Sequence, residues 1–399
     1  MPQHAQGHLG ARIAQYRHAR GLTQQGLAMR ACVSKSLLSK VESGSKPASP
    51  ALAAACARAL AIPLEALTQG PRQVSEDAQL DDLLGTVSST LDLYDLPPEE
   101  GITPRPLSEL RMAVREINRQ AQAARYRPMC ERLPALIAEL HVAAHTWPGR
   151  QQAEAWGLLA EAYRCGHSVG IAVGRGDMST LALARMDWAA QHAGNRGPAL
   201  RAAREYLRVT AYLRLKDYAS CRRLNDSGQA FVEGAEAGDP GAFVARGQLH
   251  LGAAVIAARQ GDRDGMQGHL DEADGYARRT GETLSTFWFG FGPTNVRVHR
   301  AMTLVELGEY DQAVAVGSNV RFPTGWLPTR IGHHYFDQAR ALHWMNRPSM
   351  AMRQLEQARR VAPQQAKRHP IVHDTVRRML DAPGRQPAGL PEYARWIGL

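Results

Sequence analysis

Residues 22–46 read LTQQGLAMRACVSKSLLSKVESGSK, and this stretch decides the fold of the N-terminal region. Thr23 stands where a hydroxyl caps a helix start, with Leu22 and Leu27 at the N′ and N4 positions of a hydrophobic staple. The arrangement then recurs: Ser34 caps, Val33 and Leu38 staple, and Gly44 stands where a left-handed residue ends the helix. Two short helices held at a fixed angle are expected. In the second, Leu38 and Val41 share one face, while Lys35, Ser36, Ser39, Lys40 and Ser43 fall mostly on the other, offering donors and positive charge to a phosphate-lined groove. The pattern predicts a DNA-reading unit.

A capped amphipathic helix pair could simply pack, its polar face solvated. Charge argues otherwise. Residues 1–70 hold eight Lys or Arg against two Asp or Glu, residues 71–106 two against eight, and residues 107–399 38 against 28. The basic excess per residue is therefore greatest in the N-terminal region, and Lys35, Lys40 and Lys46, three of the five lysines, lie in or just after the second helix.

Residues 9–67 resemble the five-helix DNA-binding domain of phage repressors and of the xenobiotic-response-element family of bacterial regulators. ARIAQYRHARG matches that family's first helix, SPALAAACARALAI its fourth with Ser49 as cap and Pro50 at N1, and PLEAL the start of its fifth. The resemblance implies that Gln24 meets the DNA backbone and that Lys35, Ser36, Ser39 and Lys40 reach base edges in the major groove. It also implies a buried Arg17–Glu42 ion pair. One departure is Cys32, where the turn between the helices usually carries Gly; a side chain in left-handed backbone costs roughly 1–2 kcal/mol, so a slightly reshaped turn is expected.

At 399 residues the chain is too long for one small core, and two or more are expected. Five cysteines (Cys32, Cys56, Cys130, Cys165, Cys221) form no CxxC pair, which fits free thiols and a cytoplasmic location. The N-terminus lacks the apolar core of a signal peptide, and no apolar run is read as long enough to span a membrane. Residues 71–106, acidic and carrying Pro97, Pro98, Pro104 and Pro106, read as a junction between a domain at 1–70 and one at 107–399. Within it Leu80, Leu83, Leu84, Val87 and Leu91 recur at helical spacing and predict a linker helix over about residues 77–94. Its apolar stripe packs either on its own C-terminal domain or on the same helix of a second chain.

Beyond residue 107 helical stretches are broken at Gly or Pro, and internal repetition is visible. YFDQARALHWMNRPSMAMRQLEQARRVAP places Ala339, Ala351, Ala358 and Pro363 at positions 8, 20, 27 and 32 of a tetratricopeptide repeat, and NVRVHRAMTLVELGEYDQAVAVG places Ala301, Gly308, Tyr310 and Ala313 at 8, 15, 17 and 20. Weaker units lie around Gly261, Lys216 and Gly176. Small residues at these positions let paired helices approach closely and coil into a superhelix with a concave face. Counting from Gly308 puts Asn295, His299, Met302 and Glu306 on that face, and counting from Asn346 adds His333, Phe336, Asp337 and Arg340. Residues 287–299, FWFGFGPTNVRVH, carry the aromatic cluster with Trp288 and Phe291. An Asn amide beside an imidazole and apolar rings suits a ligand with polar and hydrophobic parts. Candidate effector contacts are thus Asn295, His299, Trp288, Phe291, Met302, His333 and Asp337, although the aromatic cluster could equally fill a bend between repeats.

Together with RHPIVHDTVRRML at 368–380, residues 287–299 resemble the C-terminal half of a group of actinobacterial regulators that join a repressor-type domain to degenerate tetratricopeptide repeats. In plan the chain resembles the peptide-pheromone receptors of Gram-positive bacteria. The expectation is an all-α chain: a five-helix lambda-repressor-like DNA-binding domain, a linker helix and a tetratricopeptide-like α-solenoid. The function expected is that of a homodimeric regulator on a near-palindromic duplex DNA operator, its groove taking a signalling peptide or small molecule. The rival reading is a scaffold or antitoxin-like module whose groove holds a protein. No metal site is expected of His333, His334 and Asp337, since adjacent histidines point apart on a helix, and AVGRGD lacks the Lys and the strand of a phosphate loop. Neither an enzymatic activity nor a cofactor is expected.

Overall fold

The computed structural model describes residues 9–20, 22–60, 62, 67, 76–234, 240–383 and 386–399. Among these the chain is all-helical, with a single isolated bridge between Thr283 and Phe291. It divides into two compact units, Met1–Asp81 and Asp82–Leu399.

The first unit contains α1 (Leu9–Ala19), α2 (Gln24–Arg30), α3 (Lys35–Glu42) and α4 (Pro50–Leu60). Ile13, Leu27, Leu38, Val41, Leu52, Cys56 and Leu60 close a small core, with Leu22 and Val33 packed at its edge. Both staples thus face inward. Of the expected fifth helix, residues 63–66 lie outside the described residues, while Leu67 is fully buried.

Helix α5 (Glu76–Asp92) crosses the boundary between the units, and Leu80, Leu84, Val87 and Leu91 are buried within the chain itself. The reading in which this stripe pairs with a second copy is corrected: all of it but the half-buried Leu83 is already covered. In the second unit Leu91 lies against Gly166, its carbonyl accepts from Arg185 Nε at 2.9 Å, and the Arg185 guanidinium stands 3.5 Å over the Tyr94 ring.

Six antiparallel hairpins follow: α6/α7 (Leu107–Gln122, Tyr126–Thr146), α8/α9 (Gly149–Ala172, Gly176–Gln191), α10/α11 (Gly197–Arg214, Tyr218–Glu233), α12/α13 (Pro240–Arg259, Arg263–Thr280), α14/α15 (Pro293–Glu306, Tyr310–Ser318) and α16/α17 (Pro328–Trp344, Pro348–Val361). One device turns all six. A left-handed residue, in order Ala124, Gly174, Lys216, Gly261, Gly308 and Asn346, sits between the helices. The next amide reaches back to a carbonyl of the last turn, as in Arg125 N to Gln120 O at 2.8 Å and Arg347 N to Leu342 O at 2.8 Å. This is the Schellman arrangement, which satisfies orphan carbonyls while reversing the chain.

The first helices of successive hairpins pack side by side and the second helices back them. Ala301, Ala313, Ala339, Ala351 and Ala358 are buried, as close helix pairing requires. Gly170 lets α8 and α9 approach closely, since a Cβ there would meet the Ser179 backbone nitrogen at 2.9 Å. Three short helices, α18 (Pro363–Arg368), α19 (Pro370–Asp381) and α20 (Leu390–Ile397), cover the last hairpin, with the buried Tyr393 hydroxyl donating to Leu355 O at 3.1 Å. The stack also returns on itself. Thr329 Oγ1 at the start of α16 donates to Gln122 Oε1 at 2.8 Å, and Tyr126 N donates to Gln364 Oε1 of α18 at 3.3 Å, joining the first hairpin to the last and to the helix that follows it.

The reading of the chain as free of any membrane-length apolar run is amended at one helix. Pro240–Arg259 is long and apolar enough to cross a membrane by length and composition, with mean hydropathy 1.2. Its apolar surface is explained by position, because α12 is packed by α10, α11, α13 and α14 and is mostly buried inside the stack.

Candidate nucleic-acid interface and repeat-domain cavity

Thr23 and Ser34, both with extended backbone, cap α2 and α3: Thr23 Oγ1 accepts from Gly26 N at 3.0 Å and Ser34 Oγ from Leu37 N at 3.2 Å. Between them Cys32 takes the left-handed conformation at φ 54°, with Cys32 N bonded to Met29 O and Val33 N to Ala28 O. The turn keeps the Schellman geometry a glycine would give, so no reshaping occurs and the strain stays on the exposed Cys32.

Arg17 meets Glu42 through two bonds, Nε to Oε1 at 2.8 Å and Nη2 to Oε2 at 2.9 Å, both side chains buried. Gln24 Nε2 also donates to Glu42 Oε2 at 2.8 Å. Burial works against the Glu42 carboxylate, but the bonds from Arg17 and Gln24 outweigh it and hold its pKa below the ordinary value. The pair locks α1 to the end of α3 and fixes the Gln24 amide at the first turn of α2.

On α3, Leu38, Val41 and Glu42 are buried while Lys35, Ser36 and Lys40 are exposed; Ser39 is half-buried and Lys46, beyond the helix, is exposed. A bound carboxylate keeps this surface cationic. Ser43 Oγ, expected on the same face, instead donates back to Lys40 O at 3.1 Å. The Arg12 side chain was not anticipated: its Nε donates to Leu67 O at 2.6 Å, which ties α1 to the chain beyond α4.

Residues 8–69 match a family described as a helix-turn-helix domain. The chain carries a helix-turn-helix domain. Among solved structures the whole chain is similar to Bacillus thuringiensis PlcR, crystallised in complex with the peptide PapR7 and DNA, at 13% identity over 91% of this chain and 98% of that one, with a TM-score of 0.31. No curated protein matches the chain.

C-terminal to the helix-turn-helix domain in sequence, the repeat unit holds the aromatic cluster in the loop 281–292. Five of its residues, Gly281, Phe287, Trp288, Gly290 and Gly292, have positive φ, and two of these carry large rings. The loop closes with Thr283 N donating to Phe291 O at 2.8 Å and packs against the first helices of several hairpins. Phe291 lies over Gly247, where a Cβ would come within 2.1 Å of the ring, so α12 is shaped to receive it. Phe289 meets the Tyr206 ring edge-on at 5.1 Å. Trp288 O accepts from Gln122 Nε2 at 2.8 Å, and Trp288 Nε1 donates to Glu161 Oε2 at 3.4 Å.

The loop therefore fills the interior, and this corrects several candidate contacts. Asn295 is fully buried with its amide nitrogen on Gln248 Oε1 at 3.2 Å, and His299 is buried with Nδ1 2.9 Å from Asn295 O. Burial, with Arg330 nearby, pushes the His299 pKa down to about 3, so the imidazole is neutral. Phe291 is core. Asp337 is buried and paired with His333 at 3.2 Å and Arg340 at 3.5 Å, while Met302 packs on the cluster of Val209 and Leu213. Trp288 alone of the seven borders the cavity described next.

That cavity, of about 1130 Å3, lies between α6, α8, the start of α10, the end of α11 and the tip of the aromatic loop. Its apolar walls are Val114, Leu158, Phe231, Phe287 and Trp288. Its charges are largely spent on one another: Arg111 pairs with Glu154 (Nη2 to Oε2 at 2.7 Å) and Arg196 with Glu161. Arg115, also lining it and exposed, has no acidic partner among the described residues. The sequence offered one trace of this wall, since Arg111, Val114 and Arg115 share a face of α6. The juxtaposition with residues 285–288 exists only once the stack has coiled.

Proposed function

We propose that the chain is a DNA-binding transcription regulator in which α3 reads the major groove of duplex DNA. The observation that carries this reading is the exposed face of Lys35, Ser36 and Lys40 on a capped helix whose opposite face, Leu38 and Val41, is locked in the core. Gln24 and Lys46 would touch the backbone, with Ser39 at the edge of the groove. Residues 1–70 would form the reading head, 71–106 the connection and 107–399 the sensor. A head of this size gains specific affinity from a second copy, so the protein would act as a homodimer on a near-palindromic operator, joined by a surface other than the covered leucine stripe.

The effector, a peptide or small molecule, would occupy the cavity between α6, α8 and the aromatic loop. A concave pocket with apolar walls and a few convergent polar groups supports this placement. Its floor touches Trp288 and Glu161, and the same domain clamps the end of α5 through Leu91, Tyr94 and Arg185, so a change in packing has a route to the connection. Selection of binding sequences from a random duplex pool tests the reading. Enrichment of an inverted repeat supports it; a pool that stays random after repeated rounds contradicts it.

A further inference from the structure

The cavity beside the aromatic loop has an asymmetry that defines the chemistry of its occupant. One side is apolar, built by the Phe287 and Trp288 rings with Phe231 and Leu158. The other is the α6 face of Arg111 and Arg115, one turn apart. Two ion pairs consume two of the three lining guanidiniums: Arg111 holds Glu154, whose pKa is kept low by that bond, and Arg196 holds Glu161, which also accepts from Trp288. Among the described residues one positive charge, on Arg115, remains unspent at the edge of an apolar wall.

We propose that this cavity binds an organic anion, a molecule with one carboxylate or sulfonate on an aromatic or acyl body, its anionic end on Arg115 and its body against Phe287 and Trp288. The inference rests on the effector reading given above and adds the charge of the ligand. Glu154 and Glu161 stay with their arginines and repel a second anionic group, so a ligand of single negative charge fits better than a polyanion. A guanidinium bonded to an anion at the edge of an apolar cavity is screened less than one in open water, which makes the contact selective as well as attractive.

The test uses two probes of nearly the same body, 1-anilinonaphthalene-8-sulfonate and its uncharged parent N-phenyl-1-naphthylamine, titrated onto the full-length protein by fluorescence. Two variants accompany them. Gly234 is exposed at the rim of the cavity and a Cβ there meets nothing within 4 Å, so Gly234→Trp adds an indole at the mouth without backbone strain. Arg115→Ala removes the free charge from an exposed helix position, and Arg115→Lys restores it. The expected result is that the sulfonate binds about tenfold more tightly than the neutral parent. Arg115→Ala should erase that difference, Arg115→Lys recover much of it, and Gly234→Trp abolish binding of both. If Gly234→Trp changes neither titration, the cavity is not the site and the effector reading falls with it. If Gly234→Trp blocks both probes but Arg115→Ala leaves the sulfonate unaffected, the cavity stands and the anion proposal is overturned.

Discussion

Leu91 and Gly166 are in contact across α5 and α8: a Cβ added at Gly166 would lie 3.3 Å from a Leu91 methyl and 3.3 Å from the Ala182 Cβ. The absent side chain is what seats the linker helix on the repeats. Gly166→Val should therefore overpack this point at a cost of about 1–3 kcal/mol. Hydrogen exchange through residues 82–92 should rise in the variant. Unchanged protection there would mean that the linker is held by Arg185 and Tyr94 alone.

Replacing Lys35 or Lys40 with Ala should weaken binding to a selected DNA site by about 1–3 kcal/mol for each base edge that is no longer read, and should affect random duplex much less. Fluorescence anisotropy on both duplexes separates the cases. An equal weakening on both would make these lysines phosphate binders rather than readers.

Cys32 sits at φ 54°, where a side chain costs roughly 1–2 kcal/mol and glycine costs about 0.5–1 kcal/mol in unfolded-chain entropy. The first figure is larger. Cys32→Gly should stabilise the helix-turn-helix domain by about 0.5–1 kcal/mol, seen as a raised denaturant midpoint, whereas Cys32→Val should lower it.

The Arg17–Glu42 pair is buried, so removing one partner leaves a charge without its counter-ion. Arg17→Met should cost about 3–5 kcal/mol, and adding Glu42→Leu should return most of it. Urea melts of the single and double variants decide this. A double variant as unstable as the single one would show that Gln24 and Glu42 matter independently of Arg17.

Acid should loosen the repeat domain before it reaches the carboxylates. Burial pushes His167 and His299 down to about 3 and His334 to about 4, against an ordinary 6.5. Between those values the unfolded chain takes up protons that the folded chain refuses, so stability falls as pH drops from about 6.5 towards 3, by up to about 1.4 kcal/mol per pH unit for each histidine. In the helix-turn-helix domain Glu42 acts in the same direction lower down: its folded pKa is depressed, so its stabilisation is present above 4.5 and disappears as pH falls through the folded value. Melting curves from pH 7 to pH 4 should show this slope, and replacing His299 with Leu should flatten it.

Local signals were legible in the sequence and long-range ones were not. Thr23, Ser34 and the two staples declared α2 and α3 because capping involves residues three or four apart. Lys216, Gly261, Gly308 and Asn346 marked their turns for the same reason. Ala124 gave no sign, since nothing in its composition favours left-handed backbone, and the turn expected near Gly176 lies at Gly174. The groove-facing count expected Asn295 and His299 to be open to a ligand, yet they are buried, in a domain whose interior is filled by loop 281–292. That outcome depends on partners as distant as Gln122 and Gly247, which no spacing rule connects.

The bonds from Gln122 to Thr329 and from Tyr126 to Gln364 change how this domain comes apart. An open array of hairpins frays from its ends, each unit leaning only on its neighbours. Here the terminal hairpins hold each other, so losing one exposes the other, and the aromatic loop that both enclose goes with them. The expected behaviour is cooperative: one sharp transition in place of a graded loss of helix, and folding slowed by the need to bring residues 122 and 329 together before the ring can close.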